Sequence, residues 1–119
     1  MKLISQISKE TGIPIGTIRF YEKTSLIFGI KPKIGGTNNY VYYNQEVVDR
    51  LFFIKKAKLV GFTLSEIKEI IDSWYGNELD KSEKISVLEK KLQQIDIKIS
   101  EFENVKKQII IYKIKIQNS

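Results

Sequence analysis

The sequence of 119 residues has no cysteine and no histidine. Disulfides, Cys- or His-based metal sites, thiol redox sensing and any nucleophile–imidazole pair are thereby excluded. Apolar runs are short: "IIIY" at 109–112 is far below the roughly 20 residues needed to cross a bilayer. The start, "MKLISQISKE", turns polar by residue 5 and does not read as a secretory signal. Carboxylate chemistry is the one catalytic option left. Glu66, Glu69, Asp72, Glu83, Glu89 and Glu103, however, recur between lysines in helix-like segments, as a solvated helix face does, and no Gly-rich phosphate loop accompanies them. The reading is a non-enzyme without metal or cofactor, soluble and cytoplasmic, with no membrane partner.

Acidic residues are also scarce where the chain begins. Residues 1–60 hold ten Lys/Arg against four Asp/Glu, and residues 61–119 hold ten of each. All of the net +6 therefore lies in the first half. A localised basic face attracts polyanions and gives salt-sensitive affinity for nucleic acid. The bland explanation is a lysine-rich composition, since 18 of the 20 cations are Lys. Composition alone does not, however, place the charge in one half.

What is present is an ordered set of helix signals. Leu3 to Thr11 predicts a helix with Ile4 and Ile7 inward, stopped by Gly12. Pro14 suits the first turn of a second helix, "IPIGTIRFYEK", in which Ile15 and Ile18 read as packing. Two short helices across a tight turn form a helix-turn-helix, whose second helix can enter a DNA major groove. The segment Ile27 to Tyr43 switches to short β-prone pieces around Gly35-Gly36 and Asn38-Asn39, predicting a hairpin wing. Its lysines (Lys31, Lys33) and tyrosines (Tyr40, Tyr42, Tyr43) suit a phosphate backbone, although half of these tyrosines can equally be strand core. Asn44 is a favourable N-cap for a third helix running to about Val60, with Val47, Val48, Leu51, Ile54 and Leu59 on its apolar face. Gly61 ends it. Thr63 and Glu66 then form a capping box before Ile67, Ile70 and Ile71 of a short fourth helix.

Gly76 and Asn77 mark a linker, placed at 73–81. Beyond it, Ile85, Leu88, Leu92, Ile95, Ile99 and Phe102 recur at alternating steps of three and four, a heptad seam. The seam continues through Val105, Ile109, Tyr112 and Ile116 only with one shortened step. A helix over 82–108 is about 40 Å long and outruns what a 70-residue domain can cover, so it needs a second copy of itself or another partner, and a homodimer is expected. The tail 109–119 is ambiguous: Ile110, Tyr112, Ile114 and Ile116 alternate as in a strand, yet the same residues can extend the helix.

In order and spacing, "ISKETGIPIGTIRFYEK", "YVYYNQEVVDRLFFIKKAKLVGFTLSEIKEII" and the single heptad helix resemble the MerR family of transcription regulators. The matching pieces are Arg19-Phe20-Tyr21-Glu22, Tyr40 with Tyr43, Arg50 to Ile54, and Leu59 to Ile67. The resemblance covers residues 2–72 closely and 82–108 in kind. It implies a mainly α fold: a winged helix-turn-helix DNA-binding domain at 1–72, then a long coiled-coil dimerisation helix at 82–108 in an antiparallel dimer. It implies binding to a palindromic promoter on double-stranded DNA, which the dimer bends and untwists for RNA polymerase. By that carry-over Gly16 and Thr17 face base edges, Arg19 contacts a phosphate, and Tyr21, Tyr40 and Tyr43 bond the backbone; Phe20 is assigned to packing. The departures are Gly16 where a basic base-reader is common, Ser25 for a usual glycine, and Val41 where the wing usually has an arginine. Lys23, Lys31 and Lys33 are candidates to compensate, as point charges. Lacking Cys and His, the chain resembles short members that answer to a protein effector or act without a small ligand, with 109–116 as the docking tail. The competing reading is a protein-interaction module built on the coiled-coil helix, without specific DNA binding.

Overall fold

The computed structural model describes residues 1–31, 40–75 and 80–119. The expected turn at Gly35-Gly36 and Asn38-Asn39, Lys33, and the Gly76–Asn77 break lie outside the described residues. The elements are β1 (Lys2–Leu3), α1 (Ile4–Thr11), α2 (Ile15–Lys23), β2 (Tyr42–Tyr43), α3 (Gln45–Leu59), α4 (Leu64–Tyr75) and α5 (Lys81–Gln117). Backbone contacts divide the chain into Met1–Asp72 and Ser73–Ser119.

In the first unit the local signals are met by identifiable bonds. Asn44 caps α3 by accepting the Val47 N–H at 3.1 Å. Thr63 and Glu66 cap α4 reciprocally, each side chain accepting the other's backbone N–H at 3.1 Å. At the end of α1, Gly12 takes the left-handed conformation, and Lys55 reaches across from α3 to donate to the Thr11 carbonyl at 2.8 Å. That bond ties the turn of the helix-turn-helix to α3.

Helices α2 and α3 end in the same motif with different residues at its demanding position. In α3, the Phe62 N–H returns to the Ala57 carbonyl and the Gly61 N–H to Lys58, with Gly61 at φ +100°. In α2, the Leu26 N–H returns to Tyr21 and the Ser25 N–H to Glu22, with Ser25 at φ +64°. Both are Schellman turns, which favour glycine because a Cβ crowds the left-handed conformation. Ser25→Gly should therefore stabilise the protein by about 0.5–1 kcal/mol. A denaturant melt with an unmoved or lowered midpoint would remove this account of Ser25.

The core of the first unit draws on every helix: Ile7, Ile18, Leu51, Ile54, Ile67 and Ile71 are fully buried, as are Leu26 and Ile27 after α2. Leu59 was expected on the inner face of α3 but is 86% exposed. The chain reverses immediately after it, and the Schellman turn folds Phe62 back onto the core in its place. The wing rests on a narrow base: β1 pairs antiparallel with β2, and Tyr42 exchanges two backbone bonds with Ile30, at 2.7 and 2.8 Å.

Toward the second unit the break between helices is shorter than the linker expected at 73–81, and the tail takes one of its two open alternatives. Helix α4 runs on through Tyr75, because no residue before Gly76 breaks it. Helix α5 starts at Lys81, capped by Asp80, whose side chain accepts the Glu83 N–H at 2.8 Å. It continues without interruption to Gln117, 37 residues in all, so 109–117 is helix and not strand. No Gly or Pro falls within it, and a helix satisfies its own backbone donors and acceptors where a lone strand would leave them open. No side chain of α5 is buried. Of the heptad seam, Leu88 and Ile95 are half-buried, while Ile85, Leu92, Ile99 and Phe102 stand exposed.

Candidate nucleic-acid interface

Helix α2 has two faces. Ile18 and Tyr21, three residues apart, point into the core, Tyr21 being only 4% exposed. On the opposite side Gly16, Arg19, Phe20 and Lys23 form an exposed row at helical spacing. Thr17 is half-buried at its edge. Phe20 is 48% exposed, which reverses the expected roles of this aromatic pair: Tyr21 packs and Phe20 faces out. A Cβ added at Gly16 would meet nothing within 4 Å. The missing side chain there is thus no packing requirement; it leaves open surface in the middle of the row.

The wing base brings further residues alongside α2. Lys31 is exposed and Tyr40 is 61% exposed. Tyr43 is only 3% exposed, and its hydroxyl donates to the Glu22 carboxylate on α2. Burial, the hydrogen bond to Glu22 and the charge of that carboxylate raise the Tyr43 phenol well above its ordinary range, while Arg19 opposes them weakly. Tyr43 therefore remains a protonated donor at any physiological pH. A phenol has one O–H, and a phosphate oxygen only accepts. Both tyrosines expected at the DNA backbone are thus engaged within the protein, Tyr43 by its bond to Glu22 and Tyr21 by burial.

Arg19, Glu22, Tyr40, Val41 and Tyr43 line one side of an open cleft of about 420 Å³. Two residues of this arrangement were not singled out from the sequence. Glu22 sat inside the Arg-aromatic-Tyr-Glu box without a role. Gly29 carried no signal, yet an added Cβ would overlap the Val41 side chain and approach both Glu22 Oε1 and Tyr43 Cε1 at 3.1 Å. Only glycine lets the segment leading into Ile30 lie this close to Val41.

The exposed row on α2, the wing base beside it and the excess basic charge of residues 1–60 make a surface suited to duplex DNA. The family model described as "MerR HTH family regulatory protein" matches residues 3–74. The chain belongs to the MerR family. A second model, "MerR, DNA binding", matches residues 48–110. The transcriptional regulator CueR of Vibrio cholerae is 32% identical over 106 residues, which are 89% of this chain and 74% of that protein. The N-terminus of MtaN, the Bacillus subtilis multidrug transporter activator, is 28% identical with a TM-score of 0.52, covering 88% of this chain and 97% of that one. HiNmlR, a MerR family regulator lacking the sensor domain and bound to promoter DNA, shares the fold at a TM-score of 0.58 and 20% identity, over 87% of this chain and 76% of that one. This MerR-family chain is thus a DNA-binding transcriptional regulator with a mainly α, winged helix-turn-helix fold and a long C-terminal helix. Membership decides against the interaction module without DNA binding. Among the described residues, no helix is long and apolar enough to cross a membrane, and no acidic cluster gathers that would hold a metal ion.

Proposed function

We propose that the protein works in the cytoplasm as an antiparallel homodimer, placing two copies of α2 in successive major grooves of a palindromic promoter and bending and untwisting the DNA between them. The observation that carries this reading is the exposed row Gly16, Arg19, Phe20 and Lys23, in the half of the chain that holds all the net charge. Arg19 forks onto a phosphate, Lys23 and Lys31 add point charges, and Tyr40 donates its hydroxyl to the flanking backbone. Thr17 and Phe20 meet base edges, with Phe20 suited to a thymine methyl. Gly16 reads no base, so discrimination leans on DNA shape at that step. The realigned promoter is then presented to RNA polymerase.

Dimerisation follows from α5. Its seam of Ile85, Leu88, Leu92, Ile95, Ile99 and Phe102 is uncovered along a helix of about 55 Å. Orientation follows from charge: residues 104–119 hold four lysines and no acidic residue. A parallel pair would place two such ends together. An antiparallel pair sets each beside the start of the other helix, where Asp80 and Glu83 balance Lys81 and Lys84 and the like-charge repulsion is avoided. In that pair the seam covers one side of the last turns only, and Ile110, Ile111 and Ile114 remain as a docking surface for a protein effector.

The test is selection of bound duplexes from a random DNA pool by the full chain. Recovered sequences should share two half-sites related by a two-fold axis and separated by a whole number of helical turns. Recovery of duplexes without a common sequence would overturn specific promoter binding, leaving only charge-driven affinity.

A further inference from the structure

We infer that Glu22 and Tyr43 form a latch that fixes the angle of the wing against the recognition helix, making both positioning residues for DNA binding rather than contacts to DNA. This deepens the reading of α2 and the wing as the DNA-binding surface and rests on it.

The geometry isolates these two side chains. Helix α2 presents Arg19 and Phe20, and the wing base presents Tyr40 and Lys31, but these groups lie 11 to 21 positions apart in sequence. Simultaneous contact with the groove and with the flanking phosphates requires a set distance between them. The bond from the Tyr43 hydroxyl to the Glu22 carboxylate joins the two segments directly. Tyr43 belongs to β2, the strand that pairs with both β1 and Ile30, so whatever holds Tyr43 holds the whole wing base. Gly29 closes the arrangement, since its missing Cβ lets Val41, Glu22 and Tyr43 meet over one backbone atom.

The placement of a carboxylate here also requires explanation. Glu22 lies in the cleft beside Arg19, on the surface that receives a polyanion. On electrostatics alone an anion there weakens DNA binding, and its removal should tighten it. A latch makes the opposite forecast. Losing the acceptor frees the wing, and DNA must then pay the entropy of ordering it.

The two accounts are separated by measuring affinity for the selected palindromic duplex together with hydroxyl-radical footprints. Tyr43→Phe should bind about tenfold more weakly, with a log K against log salt slope shallower by about 0.9 for each wing phosphate lost. Its footprint should keep the backbone protection around α2 in each half-site and lose the flanking wing protection. Glu22→Leu should do the same despite removing a negative charge. Glu22→Gln keeps an acceptor oxygen for the Tyr43 hydroxyl and should stay within about twofold of the natural protein. The Glu22→Leu/Tyr43→Phe double variant should lose no more than either single one, because both break one bond. Additive losses, tighter binding by Glu22→Leu, or an intact flanking footprint in Tyr43→Phe would each overturn the latch. Should the natural protein itself give no flanking protection, the wing reading fails, and the latch with it.

Discussion

Lysine at both Leu92 and Ile95 should convert the protein to a monomer in light scattering and weaken its hold on the palindromic duplex by about 10²–10⁴-fold. The drop follows from losing one of two linked binding modules, which turns an intramolecular second contact into an independent one. Leu92 and Ile95 sit mid-seam on α5, and each buried apolar side chain of this size contributes about 1.5–3 kcal/mol. A two-fold interface loses each of them twice and would have to bury ammonium groups in their place. Lysine is a good helix former, so the helix itself should survive and far-UV dichroism should scarcely change. Lysine at Gln93 and Gln94, off the seam, is the matched control and should leave the dimer intact. A double-seam variant that still scatters as a dimer would end the coiled-coil account.

The second large effect is expected at Arg19. Arg19→Ala should cost about 10- to 100-fold in affinity for each copy in the dimer, the range of a charge-assisted hydrogen bond of about 1.5–3 kcal/mol. The slope of log K against log salt should fall by about 0.9 for each phosphate contact, hence by about 1.8 for the two copies in the dimer. Arg19→Lys should restore the slope but only part of the affinity, because an ammonium carries the charge without the planar fork. The side chain is exposed and alanine favours helix, so the fold should not suffer. An unchanged salt slope in Arg19→Ala would take the phosphate role away from this residue. Together the two variants test separable links: one removes the second copy and leaves each α2 surface whole, the other alters that surface and leaves the dimer.

Both expectations use groups that were legible before any coordinates, and the reason is local. The capping box at Thr63 and Glu66, the Asn44 cap and the stops at Gly12 and Gly61 are each complete within one or two turns of chain. Helix existence therefore followed from residue order. So did the heptad seam, which is a statement about one helix alone. The tail stayed open for the same local reason: isoleucine at alternate positions suits both a strand and a helix, and only the absence of a break before Gln117 favours the helix.

Residue order also determined that the charge lies in the first half, that Arg19 and Lys23 share α2, and that thiol and imidazole chemistry are absent. It left open which aromatic side chains face inward. Phe20 and Tyr21 are neighbours of similar size, and the choice between them depended on where the core of Ile7, Ile18 and Leu51 lies relative to α2. Tyr43 meets Glu22 across 21 positions, and Gly29 meets Val41 across the whole wing. No pattern of local spacing encodes such meetings, because they exist only after α2 and the wing base have packed on the same core. Tertiary structure thus decided that the Tyr43 hydroxyl meets Glu22 of α2.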